Sequence, residues 1–315
     1  MKKIPVSLII DDGGVVDMSY FYHQSAYPHE LLVPMSFARN FARVCRSNGV
    51  KGKFSVIPMP GGLGRIDKKL IRVPARLVKS MLQFIRSEIE PCFSITPEIL
   101  THDVAYDLAN ETYCHVYEDV YFSKLNAQEI ADYISLALEI LCNVGLNPTG
   151  VTSPWHCGID NEQNYAEGIG RAFKKVMGRN WSFYFLHSRY KLSKTFWSEP
   201  KLMCDTETAG KVVTIPNNTF DPFYCTTQPT KRRAARATAK ENIDMILSPD
   251  GRSGMAHELF EQGHPIILIS HWQRLYSDGT QLGLEGLEIL LQRINKVFGS
   301  QVEWQTFEEI AQDYL

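Results

Sequence analysis

The sequence predicts an α/β fold built as a single barrel of seven or eight strand–helix units, forming one domain over residues 1–315. Val6 to Ile10 is an uninterrupted apolar run, as expected of a strand buried on both faces of a parallel sheet. Pro265 to Ser270 is a second run of this kind near the other end of the chain. Between them, short apolar segments alternate with amphipathic helical segments, and that number of units favours a closed barrel over an open sheet.

Composition limits the classes of partner. With 44% hydrophobic and 22% charged residues, a chain of 315 residues can bury a large core. The net charge of −2 gives no basic field of the kind that captures nucleic acid or an acidic membrane surface. No stretch approaches the ~20 apolar residues needed for a membrane span. We therefore expect a small-molecule or oligosaccharide substrate, without a nucleic-acid or membrane partner.

The amino terminus and the cysteines predict a cytoplasmic protein. Met1 to Lys3 and the apolar run after them resemble the opening of a signal peptide, but the run ends at Asp11 and Asp12 without a cleavage site. The seven cysteines are scattered, odd in number and never spaced as Cys-x-x-Cys. That pattern argues against both a disulfide framework and a zinc ribbon, and indicates reduced thiols.

The first predicted strand runs directly into Asp11-Asp12-Gly13-Gly14. Neighbouring strand residues point to opposite sides, so both carboxylates can face one site only if the backbone turns there, which the glycine pair permits. Asp17 to Met35 is rich in aromatic residues, including Tyr22, and we expect a loop that either stacks on a sugar ring or packs as a lid. A helix is predicted to follow and to end at Ser47, before Asn48-Gly49.

Two further strands are predicted at Gly52–Pro58 and Cys92–Ile95, separated by a helix from Val73 to Ile89. The glycine cluster after the first of them lacks the spacing of a dinucleotide-binding loop. Asp103 to Ser123 has no regular period, and a loop of that length in a compact domain is usually functional. The helix that begins at Asn126 carries the signature of a capping box.

The second half of the chain continues the alternation. The predicted strands are Gly150–Ser153, Ser182–His187, Lys211–Pro216, Pro265–Ser270 and a short Val302–Trp304. The predicted helices cover Asn164–Met177, the segment around Ile243 to Leu247, Leu284–Phe298 and Phe307–Tyr314. Lys231 to Arg236 is locally basic, but it leads into a helix and is interpreted as a solvated helix start.

Polar side chains recur where the predicted strands end. In a parallel barrel those ends meet at one mouth, where functional groups gather. The positions are Asp11, Asp12, His102, Trp155, His156, His187, Asn217, Asp221 and His271. Carboxylates and imidazoles together form the ligand set of a hydrolytic metal site, in which the ion activates a water or polarises a carbonyl. A single histidine of this set would more often be a structural core or loop residue, so it is the recurrence at strand ends that indicates a site.

These residues resemble the polysaccharide deacetylase superfamily of TIM-like glycoside hydrolase-deacetylase barrels. Asp11-Asp12 is similar to the Asp-Asp motif that opens the family, and Leu268-Ile269-Ser270-His271 resembles its closing strand. Thr101-His102 lies where the family places its metal histidines, and Ser153-Pro154-Trp155 where it has a substrate loop. The resemblance implies a metal-dependent hydrolase that removes an acyl group from an acylated sugar or related carbohydrate.

The resemblance also implies a role for each matched residue. Asp11 would be the general base, and His271 would be the acid that protonates the leaving amine. Asp12 and His102 would bind a divalent transition metal, with zinc as the first expectation. The residues expected to contact substrate are Trp155, His156, Trp272 and Tyr22.

Two positions depart from the family pattern. Tyr106 stands where the second metal histidine would lie, one helical turn after His102. We therefore expect His115, in the following loop, to be the third ligand, with Glu118 or Asp119 as substitutes. The family's arginine before the proline of the substrate loop is also missing, because Ser153 occupies its place.

Two other functions stay open at this point. The first is a metal-free glycoside hydrolase that uses Glu98 with Asp12 or Asp221 as its carboxylate pair. The second is a catalytically silent carbohydrate-binding barrel that keeps an aromatic mouth without the metal.

Overall fold

The computed structural model of the chain describes residues 3–21, 29–187, 199–227 and 232–315. Its strands are β1 (Ile4–Gly13), β2 (Gly52–Val56), β3 (Gly64–Arg65), β4 (Lys69–Leu70), β5 (Phe93–Pro97), β6 (Val104–Asp107), β7 (Thr112–Tyr117), β8 (Gly150–Thr152), β9 (Trp181–Phe185), β10 (Lys201–Thr206), β11 (Gly210–Thr214), β12 (Ile266–His271) and β13 (Val302–Trp304). Its helices are α1 (Met35–Ser47), α2 (Ala75–Phe84), α3 (Glu118–Phe122), α4 (Ala127–Asn143), α5 (Glu162–Met177), α6 (Arg232–Ile246), α7 (Met255–Glu261), α8 (Trp272–Tyr276), α9 (Leu282–Phe298) and α10 (Phe307–Gln312).

The first sheet is parallel and has β1 at its centre. Its order is β12-β1-β2-β5, and β13 pairs with the first residues of β1. β1 is buried from Val6 onward, which agrees with the prediction of a strand covered on both faces. The register with β12 places Asp11 beside His271 at the carboxyl ends of the two strands.

The second sheet has the order β10-β11-β9-β8, in which β8, β9 and β11 are parallel and β10 is an antiparallel edge strand. Isolated bridges at Ile95–Pro148 and Glu98–Thr152 connect it to the first sheet. On the other side, the Asn218 side chain hydrogen-bonds to the backbone of Ile267 and Pro265. The described residues therefore form a mixed α/β fold with two largely parallel sheets, and no continuous ladder closes them into the predicted barrel.

Helices cover these sheets with their apolar faces. The predicted face of α4 is buried, and Asn126 and Glu129 form the predicted capping box. α4 packs against α5, and α9 buries a leucine-rich face. None of the helices in the described ranges is long and apolar enough to cross a membrane.

The segment from 103 to 123 is more regular than predicted. β6 and β7 form an antiparallel hairpin, and α3 follows directly. A hydrogen bond from the Glu118 N–H to the Asp103 carbonyl, at 2.8 Å, closes the base of this hairpin. After the β6–β7 hairpin, the chain is therefore again next to His102.

Candidate metal centre and active site

The end of β1 buries both adjacent carboxylates. The register between β1 and β2 is interrupted between Ile10 and Gly13, and Asp12 has a left-handed backbone with φ of 61°. Asp is among the non-glycine residues that tolerate this conformation best. At Gly13 a Cβ atom would lie 2.2 Å from the Phe54 ring, so glycine is required there. In a regular strand these two side chains would point to opposite faces. The irregular backbone therefore allows Asp11 and Asp12 to be buried together at this strand end.

Asp12, Glu98 and His102 bring three potential ligand atoms together. Nε2 of His102 lies 2.9 Å from Oδ1 of Asp12 and 3.2 Å from Oε1 of Glu98. All three residues are buried. Apart from this imidazole, neither of these two oxygens has a hydrogen-bond partner within the described ranges. Buried carboxylate oxygens without such a partner are costly unless a cation neutralises them.

The second oxygen of each carboxylate is held in place. Oε2 of Glu98 accepts hydrogen bonds from the Asp12 N–H at 2.7 Å and from Ser55 Oγ at 2.5 Å. Oδ2 of Asp12 accepts one from Nε2 of Gln273. Burial disfavours the charge on Asp12, but the His102 imidazole and this amide outweigh it and lower the pKa of Asp12. Two fixed carboxylates and one imidazole are a donor set that fits a divalent metal ion.

Asp11 is paired with a buried lysine. Lys53, the second residue of β2, is inaccessible to solvent and forms an ion pair with Oδ1 of Asp11. Its ammonium also donates to Thr152 Oγ1 at 2.6 Å and lies 4.7 Å from the centre of the Phe185 ring. Burial raises the pKa of Asp11, and Lys53 opposes that rise. Oδ2 of Asp11 lies 3.6 Å from Nε2 of His187 and has no hydrogen-bond partner among the described residues.

His271 is oriented by Asp221. Nδ1 of His271 lies 2.8 Å from Oδ2 of Asp221, which also accepts a hydrogen bond from Arg274 at 3.0 Å. Burial acts to raise the pKa of Asp221, but Arg274 and His271 lower it overall. With Nδ1 engaged, Nε2 is the atom of His271 that can exchange a proton with a bound molecule.

A cavity of about 320 Å³ opens beside these side chains. His187, Asn217, Tyr224, His271 and Arg274 are among the residues that line it. Burial lowers the pKa of His187 to about 4, so its imidazole is neutral at neutral pH. The rings of His187 and His271 are nearly parallel, with centroids 6.1 Å apart.

The structure brings together the four residues expected as base, acid and first two metal ligands, and Glu98, expected only as a glycosidase acid, lies beside them. Asp11, Asp12, His102 and His271 lie at adjoining positions around the strand ends. His115 does not join them, because it is exposed on β7. The place expected for His115 is taken by Glu98, which directly follows β5.

The predicted substrate contacts are distributed differently. Trp155 is half-buried and packs its ring edge-on against His102, with centroids 4.7 Å apart. His156 is exposed, next to it in sequence. Trp272 was expected to contact substrate, but it is fully buried against Phe37 and donates to the Gly14 carbonyl at 3.0 Å. That prediction is wrong, because the first residue of α8 faces the core. Tyr22 lies outside the described residues.

No protein-family model matches the chain, and no curated protein sequence matches it. Solved structures that are similar include a putative polysaccharide deacetylase from Mycobacterium smegmatis, at 13% identity, covering 99% of this chain and 92% of that one, with a TM-score of 0.48. A GH57-type branching enzyme from Pyrococcus horikoshii matches at 13% identity over 99% and 70% of the two chains, with a TM-score of 0.48. A 4-alpha-glucanotransferase from Thermococcus litoralis matches at 10% identity over 100% of this chain but only 41% of its own, also with a TM-score of 0.48. Similarity at this level does not assign the chain to a family.

Proposed function

We propose that the chain is a metal-dependent hydrolase of the polysaccharide deacetylase-like type, which removes an acyl group from a sugar or related carbohydrate. Asp12, Glu98 and His102 would hold one divalent transition ion, with zinc as the first ion to test. The observation that carries this proposal is the approach of His102 Nε2 to two buried carboxylate oxygens beside the Asp11–His271 pair. We propose further that both sheets act as one barrel-like domain with this site at its mouth.

The bound ion would polarise the acyl carbonyl and lower the pKa of a water molecule. Oδ2 of Asp11 would accept the proton of the attacking water, and the Lys53 ion pair on Oδ1, which leaves Oδ2 without a hydrogen-bond partner among the described residues, supports this role. As the carbon–oxygen bond forms and the bond to the leaving amine or alcohol breaks, Nε2 of His271 donates the proton that the leaving group needs. Asp221 fixes the ring of His271 for that transfer.

The cavity supports a small, uncharged substrate group. Its volume of about 320 Å³ lies at the lower end of the range typical of ligand pockets, which suits one sugar unit or the end of a chain. Each acid near it is already paired with a cation, Asp11 with Lys53 and Asp221 with Arg274. Tyr224 is exposed at the rim, where a tyrosine ring can stack on a sugar face.

The site gives less support to a metal-free glycoside hydrolase. Glu98 and Asp12 both face the His102 imidazole and are completely buried. A glycosidase needs its two carboxyl groups on either side of a sugar ring, about 5 to 10 Å apart. The facing oxygens of Asp12 and Glu98 lie within 4.8 Å of each other on the same imidazole, too close for a sugar ring to lie between them.

The test compares metal content and acetate release. Wild type, Glu98→Gln and the exposed control Glu88→Gln are dialysed against Zn²⁺ and analysed for bound metal, then incubated with N-acetylated and O-acetylated sugars. Wild type and Glu88→Gln should bind one ion per chain and release acetate, whereas Glu98→Gln should do neither. Equal acetate release by metal-free and metal-loaded wild type would contradict the proposal.

A further inference from the structure

The turn that carries two of the three proposed ligands has an unusual backbone. Glu98 and His102 lie four residues apart, directly after β5. Ile99, which lies between them, has a φ of 32°, and His102 itself has a φ of 53°. A left-handed backbone is unfavourable for most residues other than glycine, and a β-branched residue such as Ile99 is the least suited to it. Other contacts must therefore stabilise this turn.

Glu118 provides those contacts. It is completely buried, and Oε1 accepts the N–H groups of Leu100 at 3.2 Å and Thr101 at 2.9 Å. Oε2 accepts the N–H of His102 at 2.9 Å. Three consecutive N–H groups that converge on one carboxylate form an anion-binding nest. The hydroxyl of Tyr133 donates a fourth hydrogen bond to Oε1, at 2.9 Å.

The β6–β7 hairpin positions the Glu118 carboxylate next to the turn. Its base is closed by the hydrogen bond between Glu118 and Asp103, so α3 begins immediately beside His102. Glu118 was expected from sequence as a substitute metal ligand. Its oxygens instead engage the backbone, and the group of ligand atoms around Asp12 includes neither Glu118 nor Asp119, the other substitute expected from sequence.

We propose that Glu118 is a positioning residue that preforms the metal-binding turn, holding Glu98 and His102 in ligand geometry before an ion arrives. This inference rests on the proposed metal site. Groups that orient the residues ligating a metal ion typically raise the affinity for that ion ten- to hundredfold. Without the nest, the turn relaxes toward ordinary backbone angles and the donor atoms of Glu98 and His102 move apart.

The test uses Glu118→Gln, whose amide replaces an acceptor with a donor facing the N–H groups of the turn. Asp119→Asn is the matched control, because Asp119 is the next residue of the same short helix and its carboxylate accepts the Val120 N–H. Three properties are measured: hydrogen–deuterium exchange over residues 98–104 in metal-free protein, affinity for Zn²⁺ by competition with a chromophoric chelator, and the visible absorption spectrum of the Co²⁺-loaded protein.

Glu118→Gln should exchange faster over residues 98–104, bind Zn²⁺ at least tenfold more weakly and change the Co²⁺ spectrum, while Asp119→Asn matches wild type in all three. Native exchange in Glu118→Gln would overturn the proposal, and so would native Zn²⁺ affinity with an unchanged spectrum. If the Gln variant does not fold, Glu118→Asp, which keeps the charge but withdraws it from the nest, is expected to give the same changes. If wild type binds no metal, the proposed function fails separately, and the exchange comparison alone then decides the role of Glu118.

Discussion

Glu98 accepts the backbone N–H of Asp12 at 2.7 Å and thereby ties the end of β5 to the end of β1. The same carboxylate turns its other oxygen toward His102, 3.2 Å away. One glutamate thus fixes the position of one proposed ligand and supplies a second ligand atom itself. The metal site proposed here depends on this double role.

Variants of His102 and His115 distinguish the ligand group Asp12, Glu98 and His102 from the ligand set expected from sequence, which includes His115. His102→Ala should lose stoichiometric zinc, because it removes the imidazole of the group formed by Asp12, Glu98 and His102. His115→Ala should keep it, since His115 is exposed on β7. Metal analysis after dialysis, with circular dichroism to check folding, distinguishes the two. Metal loss in His115→Ala would restore the sequence-based ligand set.

His271 should be needed for turnover and not for metal binding. His271→Ala removes the group proposed to protonate the leaving amine, so deacylation should slow about a hundredfold or more. Bound zinc should stay at the wild-type level, because His271 pairs with Asp221 instead of with the proposed ligands. His257→Ala, on α7, is the control. An unchanged rate in folded, metal-loaded His271→Ala would favour a catalytically silent barrel.

Lys53→Met should be strongly destabilising. The variant leaves the Asp11 carboxylate buried without its cation, and breaking a buried pair in this way typically costs about 3–5 kcal/mol. Adding Asp11→Asn should recover much of the loss, because no uncompensated charge then remains. Lys51→Met breaks only the exposed pair with Glu309 and should change the free energy of unfolding by less than about 1 kcal/mol. Urea unfolding measures all three, and equal losses for the two lysine variants would contradict the assignment.

Asp17 should make stability depend on pH. Burial raises the pKa of Asp17 to about 6 in the folded protein, above its ordinary value of 3.8. The stabilisation that Asp17 contributes to the folded protein is therefore fully present below pH 4 and is lost as pH rises through 6. The side chain of Asp17→Asn stays neutral at every pH. The unfolding free energy of this variant, relative to that of wild type, should therefore rise by about 2–3 kcal/mol between pH 4 and pH 8. The exposed control Asp205→Asn should follow wild type, and parallel curves for Asp17→Asn and wild type would exclude this effect.

The strands and the main helices could be predicted from local pattern, because a doubly buried strand and an amphipathic helix each leave a periodic signature. β1 and β12 were recognised as apolar runs, and α4 from its capping box. The hairpin β6–β7 is not predicted by the sequence pattern. Its strands are short and only one of their residues is buried, so they carry little hydrophobic alternation.

Only part of the site could be predicted for a related reason. Strand ends identified Asp11, Asp12 and His271, but sequence order does not reveal which later side chain folds back to an ion. From the sequence, Glu98 is expected only as a glycosidase acid, although it directly follows β5. Lys53 did carry a signal, since a lysine inside an apolar strand needs a buried partner. Trp272 gave no sequence sign that it faces the core.

Anomalous X-ray scattering from crystals soaked in Zn²⁺ locates a bound ion directly. We expect one strong peak at the zinc absorption edge, bounded by Asp12, Glu98 and His102 at ~2.0–2.2 Å from the three ligand atoms. A peak between Asp11, His187 and His271 instead, or no ordered peak at all, would contradict the proposed metal site.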